Sequence, residues 1–372
     1  MRDDGKVKLA LQGAPKGRGS ASYVAGRFEK RVARSEDDGW GSTWDLSDAA
    51  GGAEPPPHPD TRVTEERARS VISRNQSPDV GFSQSVNPYR GCEHGCVYCF
   101  ARPSHAYLDL SPGLDFETRL YAKTNAPEQL RIELAKPGYR CSTIALGINT
   151  DGYQPIERRY RVTRALLEIL AECRHPVSIV TKNALVLRDL DLLAPMAERG
   201  LVSVHLSVTT LDNRLAAKMG PRASAPHSRL KAIRALSEAG VPTGVLVAPV
   251  IPMITDRELE SILQAAREAG AQSAGHVLLR LPHELKDIWR EWLQLHHPER
   301  AAHVMSLIQQ MRGGKDYDSE FGKRMRGEGP FADLIAARFA RAYRQLGFER
   351  SPPLDATQFV APRKPSPQGE LF

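Results

Sequence analysis

The chain has 372 residues, enough for one large or two ordinary domains, with 41% hydrophobic residues to form a core and a formal net charge of +7. No apolar run approaches the ~18 residues of a membrane span, and five cysteines in this length without a secretory leader predict a reduced, cytoplasmic protein rather than a disulfide scaffold. Residues 1–34 hold nine basic and three acidic residues, so +6 of the +7 sits there, and the basic balance is only weak support for a nucleic-acid partner.

Residues 1–60 are rich in Gly, Pro, Ser and Arg, end near Pro55-Pro56-Pro57, and read as a disordered or loosely docked basic arm. Residues 61–82 predict a lead-in helix over Thr61–Asn75, with Thr64 as cap before Glu65 and Glu66, then a turn at Ser77-Pro78-Asp79. From Ser83 the pattern becomes regular. Strand-like runs fall at Ser85–Tyr89, Thr143–Ile148, Val177–Thr181, Leu201–Val208, Thr243–Ile251 and Gly275–Leu281. Helical patterns lie between most of them, at Thr163–Arg174, Leu185–Arg199, Ser228–Ala239 and from Thr255 or Asp256 to Ala269. Gly200, Gly240 and Gly270 each follow a helical run, where a C-terminal cap belongs. About six strand–helix repeats over 83–285 predict an α/β fold with a parallel sheet and right-handed crossovers, short of a closed eight-strand barrel.

Residues 286–350 form a helical extension, with patterns at His283–Gln294, Pro298–Arg312 and Pro330–Leu346. The basic, glycine-rich loop from Arg312 to Pro330 reads either as a lid over an open sheet or as an ordinary surface loop. Residues 351–372 are a polar, proline-bearing tail.

The chain is organised around Asn87-Pro88-Tyr89-Arg90-Gly91-Cys92-Glu93-His94-Gly95-Cys96-Val97-Tyr98-Cys99-Phe100, which places Cys92, Cys96 and Cys99 in a C-x3-C-x2-C spacing. Three soft ligands on one loop clamp a metal centre but do not close a tetrahedral site. For zinc, His94 lies too close in sequence to reach the same ion easily, and no second C-x2-C pair exists. A non-catalytic zinc or nucleic-acid-binding module is the alternative from a different class.

The cysteine loop resembles the signature of the radical S-adenosylmethionine (SAM) superfamily. The resemblance implies a [4Fe–4S] cluster on Cys92, Cys96 and Cys99, with the fourth iron chelating SAM, and reductive cleavage of SAM to a 5′-deoxyadenosyl radical. It also implies a partial (β/α)6 TIM-type barrel and a low-potential electron donor of flavodoxin or ferredoxin type. Tyr98 matches the superfamily's aromatic near the adenine, and Ile251 the apolar strand residue that flanks it. At the strand ends, Asn149, Thr150, Asp151, Lys182 and Ser207 are candidates for the SAM polar groups.

Together with the Asn-Thr-Asp, Thr-Lys and Ser strand ends, the loop looks like the spore photoproduct lyase branch, over roughly residues 83–285. That branch implies a nucleic acid substrate and repair of a thymine photoproduct, with a cysteine and tyrosines returning the hydrogen atom. Ile148 stands at the donor-cysteine position and Phe100 at the second tyrosine's. Cys141 lies seven residues before Ile148, roughly 20 Å away along a strand, and Cys173 reads as core. The lyase-specific step is therefore not supported, and the substrate stays open. Tyr107, Tyr153, Glu157, Arg158 and Arg280 are positional candidates for substrate contacts, although Glu157 and Arg158 also fit a solvated helix start.

Overall fold

A computed structural model describes residues 15–28 and 60–362. In chain order the strands are β1 (Arg62–Glu66), β2 (Ile72–Arg74), β3 (Gln84–Val86), β4 (Tyr89–Arg90), β5 (Arg119–Lys123), β6 (Ile144–Leu146), β7 (Val177–Thr181), β8 (Val202–Ser207), β9 (Thr243–Val250) and β10 (Ser273–Leu278). The helices are α1 (Asp115–Thr118), α2 (Ala126–Leu134), α3 (Glu157–Tyr160), α4 (Val162–Glu172), α5 (Leu190–Glu198), α6 (Asn213–Met219), α7 (Pro226–Glu238), α8 (Leu259–Glu268), α9 (Leu285–His296), α10 (Ala301–Gln310) and α11 (Pro330–Gln345).

The main sheet has the order β10-β9-β8-β7-β6-β3-β2. Its six strands from β3 to β10 are parallel, and only β2 runs antiparallel to its neighbour. Among the described residues no ladder joins β10 to β2. The sheet is therefore open, a partial (β/α)6 barrel. Its strands are almost continuously buried, as helices on the outer face require, with Val177, Ile179, Val202, Val204, Leu206 and Val245 fully enclosed. Gly200, Gly240 and Gly270 take φ of 67°, 75° and 99°, ending α5, α7 and α8 in the left-handed conformation that glycine adopts without a Cβ penalty.

The expected helix over Thr61–Asn75 is not formed. Its residues make β1 and β2 instead. β1 pairs in parallel with β5, from Arg62 opposite Arg119 to Glu66 opposite Lys123. The Glu133 carboxylate on α2 accepts the Val71 and Ile72 backbone N–H groups at 2.7 and 3.2 Å. The segment has no apolar stripe to bury as a helix, so distant partners decide its conformation.

The expected first strand, Ser85–Tyr89, is broken at Pro88, which has no N–H for a ladder, and splits into β3 and β4. The expected second strand is also shorter. Gly147, with φ of 87°, turns the chain out after Leu146.

The C-terminal residues close both ends of the sheet. Helix α9 carries Trp289 and Trp292, stacked at 4.9 Å, and α10 carries Val304 and Ile308 into a cluster with Val97, Tyr98, Leu215, Met219 and Ile251. This dries the sheet end that carries the cysteine loop. Residues 351–362 cross the opposite end. The Val360 N–H donates to the Cys173 carbonyl at 2.9 Å, and the Asp355 N–H to that of Gly200 at 3.0 Å.

The glycine-rich loop bridges the gap between the sheet edges. The Leu278 N–H of β10 donates to the Met325 carbonyl at 3.0 Å. Arg324 reaches Asp79 at 2.5 Å, in the turn after β2. Of the expected basic arm, residues 15–28 are packed on the core, and the remainder lies outside the described residues.

Candidate active site

The cysteine loop leaves the carboxyl end of β3, where ligands gather in parallel α/β folds. Gly91 and Gly95 hold φ of 73° and 66°, which lets the loop curl back on itself. The Cys92 N–H donates to the Phe116 carbonyl at 2.9 Å, and the Val97 N–H to that of Met219 at 2.9 Å. Cys92 and Cys96 are buried, and Cys99 is partly so.

Burial pushes the Cys92 thiol well up, reinforced by Asp151 and the other two sulfurs; burial and the Cys96 sulfur push Cys99 up as well. Three sulfurs are thus crowded in a dry place that favours thiols over thiolates unless a cation compensates. Among the described residues no three His, Cys, Asp or Glu side chains converge on a point as a single ion requires. Thiols on a cubane cluster bind separate irons and do not need to converge.

Neighbouring strand ends hold the loop in place. Thr150, after β6, donates to the Gly91 carbonyl at 2.7 Å. Gln154 donates to the same carbonyl at 3.2 Å and accepts the Glu93 N–H at 2.8 Å. His94 turns away from the thiols. Its Nδ1 lies 3.4 Å from Asp151, and its Nε2 lies 3.0 Å from the Asn183 amide nitrogen. Asp151 also accepts the Lys182 N–H and the Thr181 hydroxyl, both at 2.8 Å. Burial works against its charge, but His94 and the backbone N–H groups of Lys182 and Tyr153 outweigh it, and its pKa falls to about 2.

A buried ion pair supports the loop from below. Arg102 donates to the Cys96 carbonyl at 2.8 Å and pairs with Glu117, both side chains being fully enclosed. The same carboxylate accepts the Gly19 and Ser20 N–H groups, each at 2.9 Å, so the docked arm lies against the loop. A Cβ on Gly19 would overlap the Gly95 carbonyl, so only glycine permits this approach. Sequence reasoning missed Gln154, Asn183, Arg102, Glu117 and Gly19. Arg102 follows the last loop cysteine by three residues and Gln154 follows Asp151 by three, whereas Glu117 and Gly19 carry no local signal.

The residues expected to hold SAM divide in two. Thr150, Asp151 and Ser207 are occupied with the protein: the Ser207 hydroxyl donates to the Ala248 carbonyl at 2.9 Å. Ile251 is fully buried beside Tyr98. Asn149 is exposed, bound through its backbone N–H to Asn87 at 2.9 Å. Lys182 points its ammonium at the Tyr98 ring, 5.9 Å from the centroid, and its side chain has no ion-pair partner among the described residues. Tyr98 bonds Thr209 at 3.2 Å. Lys182, Asn149 and the Tyr98 face are therefore the groups best free to meet a cofactor.

Of the expected substrate contacts, Tyr153 and Glu157 are fully buried, contrary to a role at an opening. Glu157 accepts the Thr163 N–H at 2.9 Å and pairs with Arg188 at 2.7 Å, with Tyr89 as a further partner. Arg158 is exposed on α3 and Tyr107 is exposed beneath Arg27. Arg280 lies over the Phe100 ring at 4.8 Å. Cys141 precedes β6 and so sits at the sheet end opposite the cysteine loop.

An open parallel sheet bearing three loop thiols at its carboxyl end defines a metal-cofactor enzyme built on a partial barrel. A sequence profile described as the Radical SAM superfamily matches residues 86–266, and the chain belongs to that superfamily. "Uncharacterized protein Rv2578c" of Mycobacterium tuberculosis is 38% identical over 283 residues, covering 76% of this chain and 80% of the relative. "Uncharacterized protein MJ0683" of Methanocaldococcus jannaschii is 27% identical over 192 residues, covering 52% and 69%.

Among solved structures, spore photoproduct lyase complexed with dinucleoside spore photoproduct aligns with TM-score 0.53 at 17% identity, covering 77% of this chain and 80% of that one. A mutant of that lyase with bound AdoMet and dinucleoside spore photoproduct aligns at 0.54 and 16%, with the same coverage. At these identities the likeness is one of fold. The superfamily implies a [4Fe–4S] cluster and SAM, and the three-thiol set fits the cluster. No helix among the described residues is long and apolar enough to cross a membrane.

Proposed function

We propose that the protein is a cytoplasmic radical SAM enzyme in which Cys92, Cys96 and Cys99 hold a [4Fe–4S] cluster and SAM is cleaved reductively for hydrogen abstraction from a substrate. When bound and reduced by a low-potential flavodoxin- or ferredoxin-type donor, the cluster and SAM supply a 5′-deoxyadenosyl radical. The chain's own residues do the rest. Thr150 and Gln154 fix the Gly91 carbonyl, and His94 ties the loop to Asp151 and Asn183. Lys182 offers a cation for the SAM carboxylate over the Tyr98 ring, and Asn149 an exposed amide. Trp289, Trp292 and their neighbours exclude water from the loop.

The observation that carries this reading is the loop of three crowded thiols pinned by side chains from two neighbouring strand ends. Thr150 after β6 and Asn183 after β7 pin the loop toward the common end of the sheet, where a cofactor would bridge them.

A second reading, repair of a DNA photoproduct, draws on the fold likeness to a lyase solved with dinucleoside spore photoproduct. It needs a hydrogen donor other than the residues at the expected positions. Ile148 has no thiol, Phe100 no hydroxyl, and Cys141 lies at the far end of the sheet. A zinc or nucleic-acid-binding module without catalysis would leave the strand-end arrangement unexplained.

The test is 5′-deoxyadenosine formation by anaerobically reconstituted, reduced protein given SAM, with and without ultraviolet-irradiated DNA. Formation independent of DNA supports the first reading. A rise specific to irradiated DNA supports the second, and zinc in place of iron would exclude both.

A further inference from the structure

At the carboxyl end of β10, Arg280 stands in front of Arg312, which reaches the Leu279 carbonyl, and among the described residues neither has a carboxylate hydrogen-bond partner. Arg280 lies over Phe100, the residue after the last loop cysteine, at 4.8 Å from the ring centroid. Among the described residues its terminal nitrogens reach only neutral groups, the Tyr317 hydroxyl at 3.3 Å and the Met325 thioether at 3.6 Å. A thioether is a weak acceptor. The Arg280 Nε is buried and without a hydrogen-bond partner among the described residues.

Behind it, Arg312 is 2% exposed. It donates to the carbonyls of Leu279 at 3.0 Å and Lys323 at 2.7 Å, and its Nε is likewise unpartnered among the described residues. Burial and the neighbouring Arg280 charge both work against the Arg312 charge.

The acidic groups whose charge reaches this pair are engaged elsewhere. Asp79 accepts Arg324 at 2.5 Å and the Gly322 N–H at 2.7 Å, and Asp318 accepts the Glu320 N–H at 2.9 Å. Two guanidinium groups close together in a partly dry place repel one another, and an anion beside them would offset that repulsion. A guanidinium fork matches a carboxylate or phosphate in two parallel hydrogen bonds. Phe100 holds the plane of the Arg280 fork at the edge of the cysteine loop. Arg280 is partly exposed, so an anion can reach it, while Arg312 adds charge from behind without being reachable itself.

We propose that Arg280, backed by Arg312 and held against Phe100, is the docking point for an oxyanion of the substrate, a phosphate or a carboxylate. The Tyr317 hydroxyl and the Met325 sulfur are the weak partners that the anion displaces. Both belong to the glycine-rich loop, so an arriving substrate would loosen that loop from β10 while keeping its Arg324–Asp79 anchor. The proposal rests on reading this sheet end as the substrate mouth, but its test uses neither SAM nor reductant and so fails or succeeds independently of radical chemistry.

The experiment is a calorimetric titration of the full-length protein with sodium phosphate and, separately, with sodium acetate, in chloride buffer at constant ionic strength. Saturable binding of one of the two is expected, and which one binds distinguishes a phosphorylated from a carboxylated substrate. Arg280→Gln is expected to weaken that binding by about tenfold or more, the loss of a charged hydrogen-bond pair. Arg280→Lys keeps the charge but not the fork and is expected to fall several-fold below the wild type. If Arg280→Gln does not fold, Arg280→Lys carries the test. Absence of saturable binding by either anion, or binding unchanged in the folded variants, overturns the proposal.

Discussion

His94, inside the cysteine loop, meets Asp151, beyond the second parallel strand, at 3.4 Å. Asp151 also accepts the Lys182 N–H at 2.8 Å, so one carboxylate joins the loop to the ends of β6 and β7. The residue that the sequence offers as a cofactor contact is thus the brace of the site. Replacing it should disturb the cluster loop before it disturbs any ligand contact.

Asp151→Asn keeps the shape and removes the charge. It leaves one amide NH2 facing donors, and should cost about 1–3 kcal/mol of stability. Urea unfolding would measure that loss. Iron retained after gel filtration should also fall relative to the wild type. Full stability with full iron content would show that the brace is dispensable.

Gln154→Leu leaves the Glu93 N–H unpaired in a buried position and deprives the Gly91 carbonyl of one donor. We expect a loss of about 1–3 kcal/mol, with a faster loss of iron to a chelator. The Lys182 region should keep its own stability, so SAM affinity per loaded cluster should change little. A fall in SAM affinity at equal loading would instead place Gln154 at the cofactor.

Glu117→Gln leaves Arg102 buried without its counter-charge and weakens the arm's hold on the loop. Breaking one side of a buried pair costs about 3–5 kcal/mol. Residues 15–28 should become a site of rapid limited proteolysis, read by mass spectrometry. Unchanged protection there would mean that contacts such as Ser22–Glu291, Arg27–Glu284 and Ser111–Val24 suffice to hold the arm.

His175 gives the pH dependence of stability, remote from the site. It is fully buried, its Nδ1 lies 3.0 Å from the Pro176 carbonyl, and Phe359 of the C-terminal segment packs on its ring. Burial lowers its pKa from the ordinary 6.5 to about 4. The unfolded chain therefore binds the proton more readily between those values. The stabilising contribution is complete above about pH 6.5 and is lost as pH falls toward 4, on the order of 3 kcal/mol in all. Urea midpoints at pH 7 and pH 4.5 should differ accordingly, and His175→Gln should flatten the difference. An equal slope in the variant would assign the acid sensitivity to another group.

Much of this architecture is legible along the chain because its signals are local. The cysteine spacing, the apolar strands Val177–Thr181 and Thr243–Val250, and the glycines ending α5, α7 and α8 each act within a few residues. What escapes is set by distant partners. Thr64-Glu65-Glu66 reads as a helix start, yet β5, more than fifty residues on, draws it into a strand. Strand β5 and helix α2 have no strong periodicity of their own. Glu117 has no motif, and its meaning lies in Arg102 and Gly19, which only the fold brings to it. Asp151 and Thr150 were legible as important, but the sequence does not distinguish holding a ligand from holding the loop that holds it.

The central claim is that Cys92, Cys96 and Cys99 carry a reducible cluster to which SAM binds. The most direct measurement is electron paramagnetic resonance of the anaerobically reconstituted, dithionite-reduced protein with and without SAM, beside iron and sulfide analysis, on the wild type and Cys96→Ala. The account predicts about four irons and four sulfides per chain, a reduced-cluster signal that changes on adding SAM, and loss of both in Cys96→Ala. Zinc without iron, a signal indifferent to SAM, or a fully loaded Cys96→Ala protein would contradict it.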